Sequence, residues 1–353
     1  MAFSETSFLI ILLPFFIFYQ YLNKDQKIYS LILFSFFILF LNSPRSLFAV
    51  LVFVLIFCLY CFFQKKIKIK DYFIIFFVIL FLIFFKYKET PSFFLVDNSL
   101  NYFIPLGISF YVFQGIIYII DEGLKDFFKK IKNFSFYIFF FPQLIAGPLC
   151  NFNYITNQLN KITKFSKKNF NLFFLLFSVG YIKKVLFADN IKDLIFNLNQ
   201  NSLFDFYLLM FIFLLFYLQI FFDFSGYMNM ARGVAKLFNI NLPLNFKSPY
   251  ISDSPSNFFE RWHITLSTFI RIRIFTPLSR LMIKLKFGIN TSIILSMFVA
   301  LLLFGIWHGL NIFFVIYGLL IFFIFIIWKI LKIDYLKYKL IKIIILQFVV
   351  IIF

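Results

Sequence analysis

The sequence predicts an all-α, polytopic membrane helical bundle, and three observations carry that prediction. Hydrophobic residues make up 62% of the 353-residue chain, and mean hydropathy is +0.93, far above a soluble domain. Apolar runs close to the length that crosses a bilayer, about 17–25 residues, recur from end to end, several of them short by that criterion. The connectors between the early runs alternate between lysine-rich and nearly balanced, the asymmetry that sets membrane topology.

In chain order the candidate spans are 8–22, 28–41, 47–63, 72–85, 102–120, 169–187, 203–222, 292–307, 311–328 and 340–353. Each is expected to be helical, because a backbone facing lipid must satisfy its own N–H and C=O groups. The result is about ten spans in a single membrane-embedded domain, 1–353. Residues 1–20 lack the basic start of a cleaved signal peptide and are expected to remain as the first span. Connector 64–70 carries Lys65, Lys66, Lys68 and Lys70, connector 86–101 balances its lysines with Glu89 and Asp97, and connector 121–168 is basic again. The positive-inside rule then puts 64–70, 121–168 and 229–290 in the cytoplasm, and the N-terminus, 86–101 and 189–202 outside. Lys183 and Lys184 do not fit this count. The net charge of +19 is what topology and anionic lipid require, so the bilayer, and not nucleic acid, is the expected partner.

Two cytoplasmic segments are too apolar for loops and too interrupted for spans. Residues 134–150 are broken by Pro142, Gly147 and Pro148, which predicts a re-entrant segment covered by protein. Residues 250–286 space arginines through apolar positions, which predicts interfacial helices on the cytoplasmic side.

The chemistry concentrates between 247 and 309, where both histidines lie. Histidine is the side chain best suited to take and return a proton near neutral pH. His308 sits in Gly305-Ile306-Trp307-His308-Gly309, between two apolar runs. An ionisable group there points to function, because burial in lipid is costly. The plainer alternative is a core histidine bonded across a helix interface. Gly305 and Gly309 leave room for a backbone or ligand to approach. His263 sits in Glu260-Arg261-Trp262-His263-Ile264-Thr265-Leu266-Ser267. On one continuous helix Glu260, His263 and Ser267 share a face and Thr265 turns away, so Glu260 is expected to orient the imidazole. Arg261, Arg271 and Arg273 fit topology and lipid contact first, and coenzyme phosphates second. Asp223, at a span boundary with Ser225-Gly226-Tyr227, suits a structural role as well as a catalytic one. Cys58, Cys61 and Cys150 lack the histidine neighbours of a zinc site, and no metal is expected.

Together these motifs resemble the membrane-bound O-acyltransferase family. The matching pieces are Pro105–Gln114, Phe141-Pro142-Gln143-Leu144-Ile145-Ala146-Gly147-Pro148, Asp223–Tyr227, Asn257–Ser267 and Gly305–Gly309, in the family's order over roughly two-thirds of the chain. The resemblance is nearest to the bacterial branch that O-acetylates alginate and peptidoglycan, and weaker to teichoic acid D-alanyl transfer. It implies His308 as catalytic histidine and His263 as the second important one. Gln143, Asp223, Glu260, Arg261, Trp262, Ser267, Trp307 and Asn311 are expected to support the site or bind substrate. Three positions depart from the pattern: Glu260 stands where arginine is common, Arg271-Ile272-Arg273 lacks an acid, and Ser279-Arg280 replaces a glycine pair. Relatives usually continue with several helices after the second histidine motif, so a C-terminally shortened member is expected.

The implied activity is acetyl transfer from a cytoplasmic thioester, acetyl-coenzyme A first, to hydroxyls of an extracytoplasmic polysaccharide, directly or through a periplasmic esterase-like acetyltransferase partner. No permanently bound cofactor is expected, and the location implied is the inner membrane. Two other readings stay open on sequence alone. One is a transporter or flippase for an anionic lipid-linked substrate, which internal inverted repeats would favour. The other is an inactive membrane scaffold for a secreted acetyltransferase.

Overall fold

The fold is taken from a computed structural model, which describes residues 3–67, 72–87, 104–162, 165–199, 205–309, 311–336 and 338–352. Among these residues the secondary structure is helical, with no strand. The helices are α1 (Thr6–Gln20), α2 (Lys24–Asn42), α3 (Pro44–Ile67), α4 (Tyr72–Tyr87), α5 (Ile108–Glu122), α6 (Phe127–Phe139), α7 (Phe141–Leu144), α8 (Phe152–Thr156) and α9 (Lys167–Tyr181). They continue with α10 (Asn190–Asn199), α11 (Phe206–Leu237), α12 (Pro255–Phe259), α13 (Ile264–Ile270), α14 (Thr276–Lys284), α15 (Ile289–His308), α16 (Ile312–Ile330) and α17 (Lys339–Ile352).

Six helical segments among the described residues are long and apolar enough to cross a membrane: Lys24–Asn42, Pro44–Phe63, Lys167–Asn199, Phe206–Leu237, Ile289–His308 and Ile312–Ile330. Thr6–Gln20 and Ile74–Lys86 are apolar but shorter. The protein is therefore a multi-pass membrane protein. Residues 68–70 of connector 64–70 and 88–101 of connector 86–101 lie outside the described residues, as do the starts of candidate spans 102–120 and 203–222.

The described residues fall into two compact units. The first draws on Met1–Lys88, Tyr102–Lys192 and Gln219–Pro243, and the second on Asp193–Leu218 and Leu244–Phe353. Helix α11 contributes residues to both.

The first unit has a continuous aromatic and aliphatic core that includes Phe8, Phe34, Phe53, Phe57, Tyr111, Tyr118, Phe134, Phe141 and Phe238. Local signals start its helices: Asn23 and Gln26 form a reciprocal capping box at α2, which satisfies donors that a helix start leaves open. The segment 134–150 divides as its prolines predict. Helix α6 ends at Phe139 with Phe140 as its C-cap, α7 carries Pro142 in its first turn, and 147–150 follow without regular secondary structure. Connector 121–168 is mostly folded and not an open loop, because α6 buries Phe127, Phe134 and Phe136 while Lys129 and Lys130 face outward.

Two spans run past their predicted ends. The span predicted to stop at 187 continues through a π-helical segment, Ile182–Asp189, into α10. The span predicted to stop at 222 continues through Asp223 to Leu237. Two ion pairs of one lysine lie where these extensions begin. Lys184 Nζ lies 2.9 Å from the Asp223 carboxylate and 2.7 Å from that of Asp189, so polar residues that would otherwise end an apolar run are paired inside it. The same pairing explains why Lys183 and Lys184 defeat the topology count. Lys184 is paired with two acids, and Lys183 sits over the Phe221 ring at 5.6 Å.

In the second unit α15 and α16 form a helical hairpin. Phe258 forms a small core with Trp328, Ile333 and Leu346, against which Phe259, Trp262, Ile345 and Val350 pack. Tyr217 donates to the side-chain oxygen of Gln347 at 2.9 Å, and Trp328 Nε1 donates to Asp334 at 2.7 Å.

Candidate active site

His308 is the last residue of α15. Its ring lies among Trp307, Phe304, Tyr317 and Phe314 at centroid distances of 4.5, 5.1, 5.7 and 6.0 Å. Phe304 and Tyr317 present edges and Phe314 lies nearly parallel, at 18°. The residue is nonetheless exposed, so the aromatic walls orient an imidazole that remains accessible. Of the two approaches that the glycines leave room for, backbone or ligand, Gly305 admits the backbone of the neighbouring helix. A Cβ on Gly305 would strike the Phe314 carbonyl, and one on Gly318 would lie 2.6 Å from the Leu301 carbonyl. Small residues thus let α15 and α16 touch backbone to backbone. Asn311 caps α16, its side-chain oxygen accepting from the Phe313 N–H at 3.0 Å.

The second histidine motif is not one helix. Helix α12 ends at Phe259, Glu260 is its C-cap, and His263 adopts a left-handed conformation with φ 44° before α13 begins. The shared face expected of Glu260, His263 and Ser267 therefore does not form, and the expectation that Glu260 orients His263 is corrected. The Glu260 carboxylate stands 3.7 Å from the Arg271 guanidinium, and both side chains are exposed. Asn245, which sequence reasoning missed, is the residue beside the imidazole: its amide nitrogen lies 3.2 Å from His263 Nδ1. Thr265, expected to turn away, is part of the same cluster. Its N–H and hydroxyl both donate to the Asn245 side-chain oxygen, at 2.9 and 3.0 Å.

The other predicted residues in this motif serve the turn. Arg261 Nε donates to Asn257 at 2.9 Å and its guanidinium to the Lys247 carbonyl at 3.2 Å. Trp262 stacks on Phe258 with centroids 5.6 Å apart and meets Phe246 edge-on at 5.1 Å. The Ser267 hydroxyl donates to the Trp262 carbonyl at 3.2 Å.

His263 is buried. Burial pushes its imidazole down to about 3, and the nearby His308 imidazole adds to the fall, while its own backbone carbonyl works weakly the other way. His263 is thus neutral at physiological pH. Phe259, before the first histidine, meets Phe304, before the second, edge-on at 6.1 Å, so the fold brings the two motifs together. A cavity of about 430 Å³ adjoins them, with Ile293, Met297, Leu301, Phe304 and Phe325 among its walls and Glu260 and Arg271 among its few polar groups. Phe304 is both a cavity wall and a neighbour of the His308 ring.

Two predicted site residues belong to the first unit. Asp223 pairs with Lys184. Gln143 is buried in α7, and its side-chain amide has no hydrogen-bond partner among the described residues. Among those residues no group of three or more histidines, cysteines or carboxylates stands close enough to hold a metal ion.

A multi-pass helical protein with one accessible histidine at a helix end and a second, buried one in a neighbouring motif is the class that this geometry defines. The chain belongs to the membrane-bound O-acyltransferase family, whose profile matches residues 129–340. It is similar to a probable alginate O-acetylase AlgI of Pseudomonas syringae pv. tomato, 37% identical over 220 residues that cover 61% of this chain and 41% of that protein. It is also similar to the peptidoglycan O-acetyltransferase of Helicobacter pylori, 31% identical over 67% of this chain and 50% of that protein. Similarity to the teichoic acid D-alanyltransferase of Bacillus subtilis is 29% identity over 60% of this chain and 56% of that protein. The chain spans about half the length of the curated relatives it matches.

Proposed function

We propose that the protein is a membrane O-acyltransferase that moves an acetyl group from a cytoplasmic thioester, acetyl-coenzyme A first, toward hydroxyls of an extracytoplasmic polysaccharide such as alginate or peptidoglycan. Transfer is direct or passes through a periplasmic esterase-like partner. The observation that carries this reading is the setting of His308, an accessible imidazole held by aromatic walls in a family of acyltransferases. The names of its relatives point to acetyl and polysaccharide. In the same reading the protein sits in the inner membrane with the basic connectors inside. It has about ten spans, the break at Phe140 marks a re-entrant segment, and Gln143, Asp223 and Arg261 support substrate binding.

His308 acts as the general base. It takes the proton of the acceptor hydroxyl as that oxygen forms a bond to the thioester carbonyl carbon. The tetrahedral species collapses, the carbon–sulfur bond breaks, and the proton leaves with the thiolate as free thiol. A general base contributes typically about 10²–10⁴-fold to rate, so His308→Ala should lower acetyl transfer by about that factor with expression unchanged. The measurements are polysaccharide-linked acetate in cells and thiol release in membranes. A His308→Ala protein that keeps most of the wild-type activity would remove the base from the mechanism. Wild-type membranes that transport a lipid-linked substrate without cleaving any thioester would replace the whole reading.

A further inference from the structure

We propose that a polar cavity between α2, α5, α6 and α8 binds the head group of an anionic phospholipid, whose acyl chains lie along the exposed face of α2. The site belongs to the first unit and does not depend on the acyl-transfer reading. Only the choice of leaflet rests on the proposed orientation.

The cavity measures about 390 Å³, and its wall carries three ammonium groups, Lys24, Lys130 and Lys132, against two carboxylates, Asp25 and Glu122. The pairs within it are unequal. Lys130 reaches Glu122 at 2.6 Å, and the carboxylate is only 12% exposed. The Asn153 amide donates to its other oxygen. That pair is a fixed wall. Lys132 stands 2.8 Å from Asp25, whose side chain is 70% exposed, so solvent screens this second pair. Lys24 donates to a neutral acceptor, the Asn160 side-chain oxygen, at 2.7 Å. Lys24 and Lys132 can therefore turn to an incoming phosphate without leaving a buried charge unpaired. Asn133 and Asn157 also line the cavity, and their amides can donate to and accept from the hydroxyls of a head group.

Charge alone would suit any small phosphate ester. The continuation of the cavity points to a lipid. Asp25, Tyr29, Leu33 and Phe37 recur at four-residue spacing along α2, so they share one face of the helix. Below Asp25 that face is apolar, and Tyr29, Leu33 and Phe37 are all exposed on it. Lys132 Nζ lies 6.0 Å from the centre of the Tyr29 ring, so the amine stands where the polar cavity meets the apolar track. Helix α2 is also long and apolar enough to cross a membrane. A cationic pocket above an apolar track is complementary to a phospholipid, which carries its phosphate at the head of its chains. In the proposed orientation this end of α2 is cytoplasmic. That leaflet is the anionic one, and basic pockets between membrane helices on that side hold such head groups.

The test gives the full chain in detergent three separate probes: phosphatidylglycerol, phosphatidylcholine and water-soluble glycerol 3-phosphate. Native mass spectrometry reads bound probe, and the unfolding temperature reads its effect on the fold. Phosphatidylglycerol should be retained in preference to phosphatidylcholine and should raise the unfolding temperature saturably, while glycerol 3-phosphate at the same concentration leaves it unchanged. Lys24→Gln still donates to Asn160 but loses the charge. Its affinity for phosphatidylglycerol should fall about fivefold, the equivalent of about 1 kcal/mol per basic residue at an anionic surface. Asp25→Asn removes the carboxylate that competes for Lys132 and should bind phosphatidylglycerol more tightly, which a merely structural ion pair would not produce. Equal retention of the two lipids, or wild-type affinity in Lys24→Gln, overturns the site. An equal rise in unfolding temperature with glycerol 3-phosphate assigns the cavity to a soluble phosphate ester and overturns the lipid. If Lys24→Gln does not fold, Asp25→Asn decides alone, and unchanged or weaker binding there overturns the site. A wild type that releases no thiol from any acyl thioester removes the acyl-transfer reading and leaves these outcomes as they are.

Discussion

At His263 a single backbone angle decides which neighbour the ring meets. Because φ is 44° there, Glu260 is carried off toward Arg271, and the imidazole faces an asparagine 18 positions earlier. The buried ring also gives a pH dependence of known sign. Its folded value, about 3, lies below the unfolded value of about 6.5. A depressed value means that the unfolded chain binds the proton first. The stabilisation is therefore complete above about pH 6.5 and lost progressively as pH falls toward 3. The unfolding temperature of the detergent-solubilised protein should fall on acidification from pH 7 to 5, and His263→Gln should flatten that part of the curve. Equal slopes for the two proteins would mean that the ring is not buried neutral. The sequence made both histidines conspicuous as the polar residues of apolar surroundings. It hid Asn245, because a long-range hydrogen bond leaves no periodic trace, and it misplaced Glu260, because i,i+3 spacing holds only within an unbroken helix.

The α15–α16 hairpin sets His308 through its glycines. A Cβ on Gly318 would lie 2.6 Å from the Leu301 carbonyl, whereas one on Gly288, before α15, would meet nothing closer than 3.8 Å. Gly318→Ala should therefore lower the unfolding temperature and the activity together, with a cost of about 1–3 kcal/mol typical of overpacking. Gly288→Ala should change neither. Thermal unfolding of the two proteins side by side checks this, and equal unfolding temperatures would mean that the helices are not in backbone contact. Apolar runs made most of the spans legible in the sequence, and prolines marked the break between α6 and α7. Span ends were less legible. An ion pair such as Lys184 with Asp223 lets a helix continue where composition alone argues for a loop. Within connector 121–168 only 134–150 read as too apolar for a loop; the lysines before it hid that α6 begins at Phe127, whose buried side chain joins the core.

For the whole molecule, the charge pattern predicts an orientation that labelling can test. Single cysteines would be placed in connectors 86–101 and 121–168 of a protein lacking Cys58, Cys61 and Cys150. An impermeant maleimide should label the first connector in intact cells and the second only after lysis; the reverse pattern would invert the topology. Among its features, the cavity beside the histidine motifs bears on selectivity. At about 430 Å³ it falls within the range that holds whole small-molecule ligands, about 300–1,000 Å³. A two-carbon acyl group would fill little of such a space, whose aliphatic and aromatic walls are joined by Ser256, Glu260, Ser267, Thr268 and Arg271. Discrimination by size is then not a property of this chamber. Under the proposed acyl transfer, an octanoyl or decanoyl thioester that uses this chamber should compete with an acetyl thioester in membranes, and a lack of competition would place the acyl group elsewhere.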